Sequence, residues 1–256
     1  MERSTAVLVT GCSSGIGRAT ALAFARAGFP TWASARRPET LAELAAAGCR
    51  TLRLDVTDEE SRAAAVRAVV AEHGAVGVLV NNAGHGGGGP VEEVPLRLVR
   101  DMFETNVFGL VRMCQLVLPG MRGQRGGTIV NLGSGAGLAT PPTGCPYAMT
   151  KYALESFSDA LRLEVAPFGV RVVLVEPGAV ATRFGATSER HNPQVEGGPY
   201  ETFKRNVEAM TARAHRGNAL TAEDVATVIT RAAAAGARGP ATRWARRPGS
   251  RRSPGS

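Results

Sequence analysis

Residues 10–17 read Thr10-Gly11-Cys12-Ser13-Ser14-Gly15-Ile16-Gly17. The apolar, β-branched run Ala6-Val7-Leu8-Val9 precedes them. The stretch 15–27 that follows turns Ile16, Ala19, Leu22, Ala23 and Phe24 toward one side of a helix and stops at Gly28. Strand, glycine turn and helix form an arrangement with a physical use. Glycines permit a tight turn and a close approach of main chain to a ligand. The helix then offers unpaired N–H groups at the positive end of its dipole, which suits a pyrophosphate. A glycine-rich turn alone is a weak signal, and its place between a strand and a helix gives it weight.

Working outward, the same alternation repeats. Strand-like runs fall at Thr31–Ala35, Thr51–Leu54, Val76–Val80, Gly127–Leu132 and Val170–Glu176. Helical stretches fall at Pro38–Ala47, after Thr57, at roughly 95–119, and at Cys145–Ala166. In Thr57-Asp58-Glu59-Glu60, Thr57 is expected to cap the helix while Glu60 reaches back. Near-continuous apolar strands alternating with helices predict an α/β fold: a single-domain, Rossmann-type, doubly wound parallel sheet with helices on both faces. Residues 1–237 are read as one dinucleotide-binding domain. Within it, residues 183–220 break the pattern with Gly185, Asn192, Pro193, Gly197, Gly198 and Pro199, then a helix at Tyr200–Ala214. An insertion of this length reads as a lid over a substrate. A last helix opens at Thr221-Ala222-Glu223-Asp224.

Composition narrows the function classes. The 256 residues are 44% hydrophobic, enough for a sizeable core. No apolar run approaches the ~20 residues that span a bilayer, and the N-terminus has no signal-peptide pattern, so a cytoplasmic protein without a membrane partner is expected. Cys12, Cys49, Cys114 and Cys145 are scattered, as are the histidines, and no metal site is expected. The net charge of +8 resembles a nucleic-acid signal until it is mapped. Six arginines and no acid lie in residues 238–256, and without them residues 1–237 carry +2. The charge therefore belongs to an Arg/Pro/Gly/Ser-rich tail that reads as solvated and disordered, and nucleic acid is disfavoured as a partner.

Further motifs follow in order. Asn81-Asn82-Ala83-Gly84 ends the fourth strand run, and Asn106 lies in the long helical stretch. Ser134 follows the fifth run, Tyr147-Ala148-Met149-Thr150-Lys151 lies on a helix, and Pro177-Gly178-Ala179-Val180-Ala181-Thr182 follows the sixth. Tyr147 and Lys151, four apart, share a helix face. A cation beside a phenol favours the phenolate and makes proton exchange easier. Tyr152 points about 100° away from Lys151 and reads as packing. A serine at the end of a strand can hydrogen-bond a developing oxyanion.

Together these stretches resemble the short-chain dehydrogenase/reductase family over nearly the whole chain, to about residue 235. The matches are TGxxxGxG at 10–17, NNAG at 81–84, YxxxK at 147–151 and PGxxxT at 177–182. The resemblance implies hydride transfer between a nicotinamide cofactor and a carbonyl or secondary alcohol. It implies Tyr147 as acid and base, Ser134 on the substrate oxygen, and Lys151 on the nicotinamide ribose. Asn106 would support Lys151 through a water relay. Thr10, Gly11, Ser13, Ser14, Gly15, Ile16 and Gly17 would hold the cofactor with Asp55, Val56, Asn82, Ala83, Gly84, Tyr147, Lys151, Pro177, Gly178, Val180 and Thr182. The nearest-looking subgroup acts on hydroxysteroids and retinoids. A homodimer or homotetramer is implied as well.

At the end of the second run, Ala33-Ser34-Ala35-Arg36-Arg37 sets Ala35 where NAD-preferring relatives place Asp. A guanidinium at Arg36 can pair with a 2′-phosphate, with Ser34 or Arg37 as helper, so NADP(H) is favoured over NAD(H). The Tyr-to-Lys spacing disfavours an enoyl-thioester reductase. The alternative class is a nonenzymatic NADP(H) sensor, which would not need Ser134, Tyr147 and Lys151 together. Leu138, Pro141, Pro142, Met149, Phe184, Tyr200, Phe203 and Met210 are candidate pocket residues for an apolar ketone or alcohol, or else lid packing. Gly86-Gly87-Gly88-Gly89 suggests a free loop. After Ala237 only Pro240–Ala245 offers a vestige of a further strand.

Overall fold

The computed structural model describes residues 3–189, 192–193, 195, 197–215 and 219–234. Six parallel strands form one sheet: β1 (Val7–Val9), β2 (Thr31–Ala35), β3 (Arg50–Arg53), β4 (Val78–Asn81), β5 (Gly127–Leu132) and β6 (Val170–Val175). Their order is β3-β2-β1-β4-β5-β6. The order reverses between β1 and β4, where Val7, Leu8 and Val9 pair with Thr31, Trp32 and Ala33 on one side and with Val78, Leu79 and Val80 on the other. A doubly wound sheet opens a crevice beyond its carboxyl ends at such a point.

Strand alternation divides the core between two faces. Val7, Val9, Val80, Val130 and Val173 look one way and pack with Phe24 of α1 (Gly15–Arg26) and with Val225 and Ile229 of α9 (Ala222–Ala234). Leu8, Leu79, Ile129 and Val172 look the other way, onto Met113, Val117, Leu154 and Leu161. Those four come from α5 (Gly109–Gly123) and α6 (Cys145–Val165). The doubly wound α/β sheet is therefore present as expected.

The boundaries differ from the reading in informative places. The helix expected at 95–119 runs as α4 (Leu96–Phe103), one π-helical segment (Glu104–Phe108) and α5, and the inserted turn carries Asn106. Single π turns inside α-helices are rare and fall frequently at functional sites. The cap of α3 (Glu59–His73) is Asp58, whose Oδ1 accepts from Ser61 N at 2.6 Å. Thr57 does not cap it: its N–H and hydroxyl both donate to Asp55 Oδ1, at 3.0 and 2.8 Å. Glu60 pairs with Arg67. Aspartate and threonine are both good caps, aspartate the better, and the nearby carboxylate of Asp55 claims the threonine. At α9 the cap is reciprocal, Thr221 N to Asp224 Oδ2 (2.9 Å) and Asp224 N to Thr221 Oγ1 (3.0 Å). Between β6 and α9 lie the short α7 (Phe184–Glu189) and α8 (Glu201–His215), and α2 (Ala42–Ala46) lies between β2 and β3. The expectations for 238–256 and for a strand at Pro240–Ala245 fall outside the described residues.

Ile129 has no exposure and lies in register between Leu79 and Val172. Ile129→Ala is expected to destabilise the fold by about 2–5 kcal/mol through lost burial and a residual cavity. Arg53→Ala, at an exposed position of the outer strand β3, is expected to cost under about 0.5 kcal/mol. Urea unfolding of both variants checks the contrast, and equal effects would mean that Ile129 is not a core residue.

Candidate active site

The glycine turn is built from both sides of the β1–β4 crevice. Gly11 (φ 73°) and Gly15 (φ 58°) take left-handed conformations. A Cβ on Gly11 would stand 2.9 Å from Ala83 Cα, and one on Gly17 would collide with Gly11 O and Asn82 Nδ2. Only hydrogen fits at these positions. Thr10 Oγ1 accepts from Asn82 N (3.0 Å) and Ala83 N (2.9 Å), while Asn82 Nδ2 donates to Thr10 O (2.8 Å) and Gly11 O (3.1 Å). Thr10 and Asn82 thus spend these polar groups on tying the turn to the end of β4. Ser14 precedes α1 without a side-chain cap bond, and Ser13 is exposed. Ile16 packs at the edge of the core, and Thr182 Cγ2 would be 3.3 Å from a Cβ on Gly15, so the segment after β6 closes on the same turn. A main-chain cradle kept open by Gly11, Gly15 and Gly17, at a helix N-terminus, fits a pyrophosphate.

The proposed proton-transfer residues meet at the neighbouring strand ends. Ser134 follows β5, and its Oγ accepts from Ala136 N at 3.2 Å. Its side chain also hydrogen-bonds Tyr147. Lys151 is buried on α6, and its Nζ donates to Leu132 O at 2.7 Å, 5.4 Å from the centre of the Tyr147 ring. Burial pushes the Lys151 ammonium down to about 8. Burial likewise pushes the Tyr147 phenol up to about 12, and the Ser134 hydrogen bond works against that rise. The expectation that Lys151 lowers the phenol's pKa is therefore outweighed here, because desolvation acts on both groups.

Asn106 is buried and faces the same corner from the π turn. Its Oδ1 accepts from His85 N (3.0 Å), and its Nδ2 donates to His85 O (2.9 Å) and Thr150 Oγ1 (3.2 Å). Thr150 Oγ1 in turn donates to Tyr147 O at 2.7 Å. Asn106 thus clamps the chain just beyond Gly84 to α6, and its side chain is engaged there. A Cβ on Gly84 would stand 3.0 Å from Asn106 Oδ1. Thr150 and the Leu132 carbonyl were not among the residues picked from sequence. Thr150 had a signal, its place three residues after Tyr147, whereas a backbone acceptor has none.

At the other end of the crevice, Arg36 and Arg37 follow β2 and are exposed. Burial works against the Asp55 carboxylate, but hydrogen bonds from Thr57 and the nearby charges of Arg36 and Arg53 hold its pKa below the ordinary value. Arg36 and Asp55 are therefore electrostatic neighbours, and Val56 beside them is buried. Ser34 cannot assist the arginines, because it is fully buried and its hydroxyl donates to Val9 O at 2.8 Å. Pro177 O accepts from Gly135 N (3.2 Å), Gly178 is exposed, and Val180 bridges to Leu220.

A family profile described as short chain dehydrogenase matches residues 5–193. The chain belongs to that family. Members are oxidoreductases that generally transfer hydride with a nicotinamide cofactor. The chain is 43% identical over 189 residues to the uncharacterized oxidoreductase YusZ of Bacillus subtilis, covering 71% of this chain and 67% of that one. It is 39% identical over 192 residues to a 3-ketodihydrosphingosine reductase of Bacteroides thetaiotaomicron, covering 75% and 69%. A family member from Burkholderia phymatum solved with NAD superposes with a TM-score of 0.80 at 30% identity, over 95% of this chain and 89% of that one. An actinorhodin polyketide ketoreductase variant solved with NADPH gives 0.81 at 34% identity, over 94% and 95%. Fold likeness alone thus leaves the choice of nicotinamide open.

The segment after β6 meets this corner through Phe184, whose ring lies 5.6 Å from that of Tyr147. Leu138 and Met149, close in sequence to Ser134 and Tyr147, are exposed apolar residues. Tyr200 instead donates its hydroxyl to Glu92 Oε2 at 2.7 Å, and Lys204 joins Glu93 at 3.3 Å, so this part of α8 docks by polar contacts. The Gly86–Gly89 run is packed rather than free. A Cβ on Gly88 would collide with Thr143 O, and Gly89 N donates to that same oxygen at 2.8 Å. Among the described residues, no three His, Cys, Asp or Glu side chains converge as a metal site, and no helix is long and apolar enough to cross a membrane.

The cradle has a direct test. Gly17→Ala is expected to push Gly11 and Asn82 apart and to weaken nicotinamide dinucleotide binding by about tenfold or more, since the lost main-chain contacts are charge-assisted. Fluorescence titration of the reduced cofactor checks it. Unchanged affinity would remove the turn from the binding site.

Proposed function

We propose that this protein is an NADP(H)-dependent oxidoreductase that interconverts a carbonyl group and a secondary alcohol on an apolar small molecule. The observation that carries this reading is the meeting of Ser134, Tyr147 and buried Lys151 beside the glycine cradle. Residues 10–17 would hold the pyrophosphate. Arg36 and Arg37 would hold the 2′-phosphate, and Asp55 and Val56 would border the adenine. Asn82, Ala83, Gly84, Pro177, Gly178, Val180 and Thr182 would line the rest of the site. When bound, the dinucleotide supplies or accepts the hydride.

The chain's own residues would supply the remaining chemistry. Ser134 Oγ hydrogen-bonds the substrate oxygen as charge develops on it. Tyr147 Oη gives that oxygen its proton in reduction and takes it back in oxidation. Lys151, anchored on Leu132 O, orients the ribose and favours the phenolate while it remains an ammonium. Asn106 acts at one remove, holding His85 and Thr150 in place. Exposed Leu138, Met149 and Phe184 support an apolar substrate, and the keto substrate named for the Bacteroides relative points the same way. Residues 183–220 serve as the lid of a catalytic domain at 1–237, and a homodimer or homotetramer is the proposed assembly.

Tyr147→Phe is expected to lower kcat for ketone reduction by about 10²–10⁴ while leaving NADPH affinity within a few-fold, because only a proton donor is lost. Lys151→Met should lose both. Normal turnover in either variant would refute its role.

The pH dependence has a definite sign. Lys151 is held down to about 8 and Tyr147 up at about 12. Reduction needs the phenol protonated and the ammonium charged. Its kcat/KM should therefore be flat below about pH 8 and fall above it as Lys151 loses its proton. Lys151→Arg should remove that fall, and a rate rising through pH 8 would contradict the assignment.

For the cofactor, Arg36→Asp replaces attraction with repulsion. A charge-assisted phosphate contact is worth about 1.5–3 kcal/mol, so the NADPH/NADH ratio of kcat/KM should drop by about 10–100-fold. A parent enzyme that prefers NADH would overturn the reading.

A further inference from the structure

Phe184 opens α7 and is held through its backbone: its N–H donates to Thr182 Oγ1 at 3.3 Å, and its carbonyl accepts from Ser188 Oγ at 2.9 Å. Its ring tilts at 56° to that of Tyr147 and remains 40% exposed. Gly86 lies behind it. A Cβ at Gly86 would stand 3.1 and 3.2 Å from Cε1 and Cζ of the Phe184 ring, and 2.5 Å from Ser188 Oγ. The same glycine strap secures the descending lid: Gly88 N donates to Asn192 Oδ1 at 2.8 Å, and a Cβ on Gly89 would be 3.1 Å from Pro193. The strap is in turn fixed to the entrance of α6 through Thr143 O. The aromatic ring is therefore confined between the Tyr147 phenol and a main chain that has no room to give. The rest of the ring is exposed.

We propose that Phe184, backed by Gly86, is a specificity-determining residue. It is a fixed aromatic wall beside Tyr147 that accepts carbonyl compounds with a flat or unbranched apolar group next to the carbonyl and rejects those branched there. A flat group can lie along the exposed part of the ring and gain apolar contact. A branched carbon needs the ring to retreat, and Gly86 with Ser188 occupies the space behind it. This rests on the reading of Tyr147 as the proton donor.

The test uses the full chain with NADPH and two methyl ketones of equal carbon number, one unbranched and one branched at the carbon beside the carbonyl. Phe184→Ala is expected to shift the ratio of kcat/KM toward the branched ketone by about tenfold or more, the size of discrimination that shape at an apolar wall supplies. The change should come through KM, with NADPH affinity unchanged. Gly86→Ala pushes the ring toward Tyr147 and is expected to shift the ratio the opposite way. Phe184→Leu keeps apolar volume without the flat ring and should follow Phe184→Ala if the latter folds poorly. Ratios unmoved in these variants overturn the proposal. Tyr147→Phe separates the two readings, since retained turnover there sinks the catalytic assignment while the ratios still judge the wall. If neither ketone is reduced by the parent, the functional reading fails for this substrate class and spectroscopy decides the wall. The chain has three tyrosines, so carbon-13 ring labelling gives three signals, and the one missing in Tyr147→Phe is assigned. Phe184→Ala should move that signal more than the other two by removing the ring current, and an unmoved signal overturns the contact.

Discussion

The buried ammonium of Lys151, 2.7 Å from Leu132 O, is the constraint around which the site is arranged. Taking a cation out of water costs several kcal/mol unless acceptors are placed for it, and its depressed pKa records that cost. The acceptor is a main-chain carbonyl at the last residue of β5, so the lysine must come from the helix that crosses that strand end. One turn earlier on α6 lies Tyr147, and just past the end of β5 lies Ser134. The position of one cation thus places the other two groups. The same burial holds Tyr147 as a protonated phenol at neutral pH, the form that a proton donor to a carbonyl oxygen requires.

What holds α6 at that strand end is a ladder of buried amides. Asn81 and Asn131 pair in register across β4 and β5, and Asn81 Nδ2 donates to Asn131 Oδ1 at 3.0 Å. Asn131 Nδ2 donates on to Ser158 Oγ of α6 at 2.9 Å, and Asn81 Nδ2 also reaches Cys114 Sγ of α5 at 3.3 Å. A slip of one residue would bury these amides against valine and leucine, with their hydrogen bonds unmade. A polar seam inside an apolar sheet therefore sets both strand register and helix position. Asn106 and Thr150 form a second polar link, from the His85 main chain to that of Tyr147.

The strands and the motif residues were legible because period and spacing are local properties. Apolar runs such as 170–175 can hardly be anything but a strand covered on both faces, and Tyr147 and Lys151 are one helical turn apart in any helix. What was not legible depended on competition between neighbours. Thr57 and Asp58 are both good caps, and only the carboxylate of Asp55 decides between them. Ser34 looked available to a phosphate, yet the inward phase of β2 buries it onto Val9 O. The effect of Lys151 on Tyr147 looked like simple charge attraction, and the depth of burial reverses the balance. The Gly86–Gly89 run looked free because composition shows the absence of side chains and not the presence of Phe184, Ser188 and Thr143 around them. Such long-range packing has no period to read.

The most direct measurement of the central claim follows one atom. NADPH carrying deuterium at the transferable position of the nicotinamide is incubated with the full chain and an apolar ketone, and the alcohol is analysed by mass spectrometry and proton NMR. The account predicts one deuterium on the carbinol carbon, formed by the parent chain and reduced to trace in the Tyr147→Phe variant. Cofactor binding without deuterium transfer to any of a panel of apolar ketones, or equal transfer by the Tyr147→Phe variant, would contradict it.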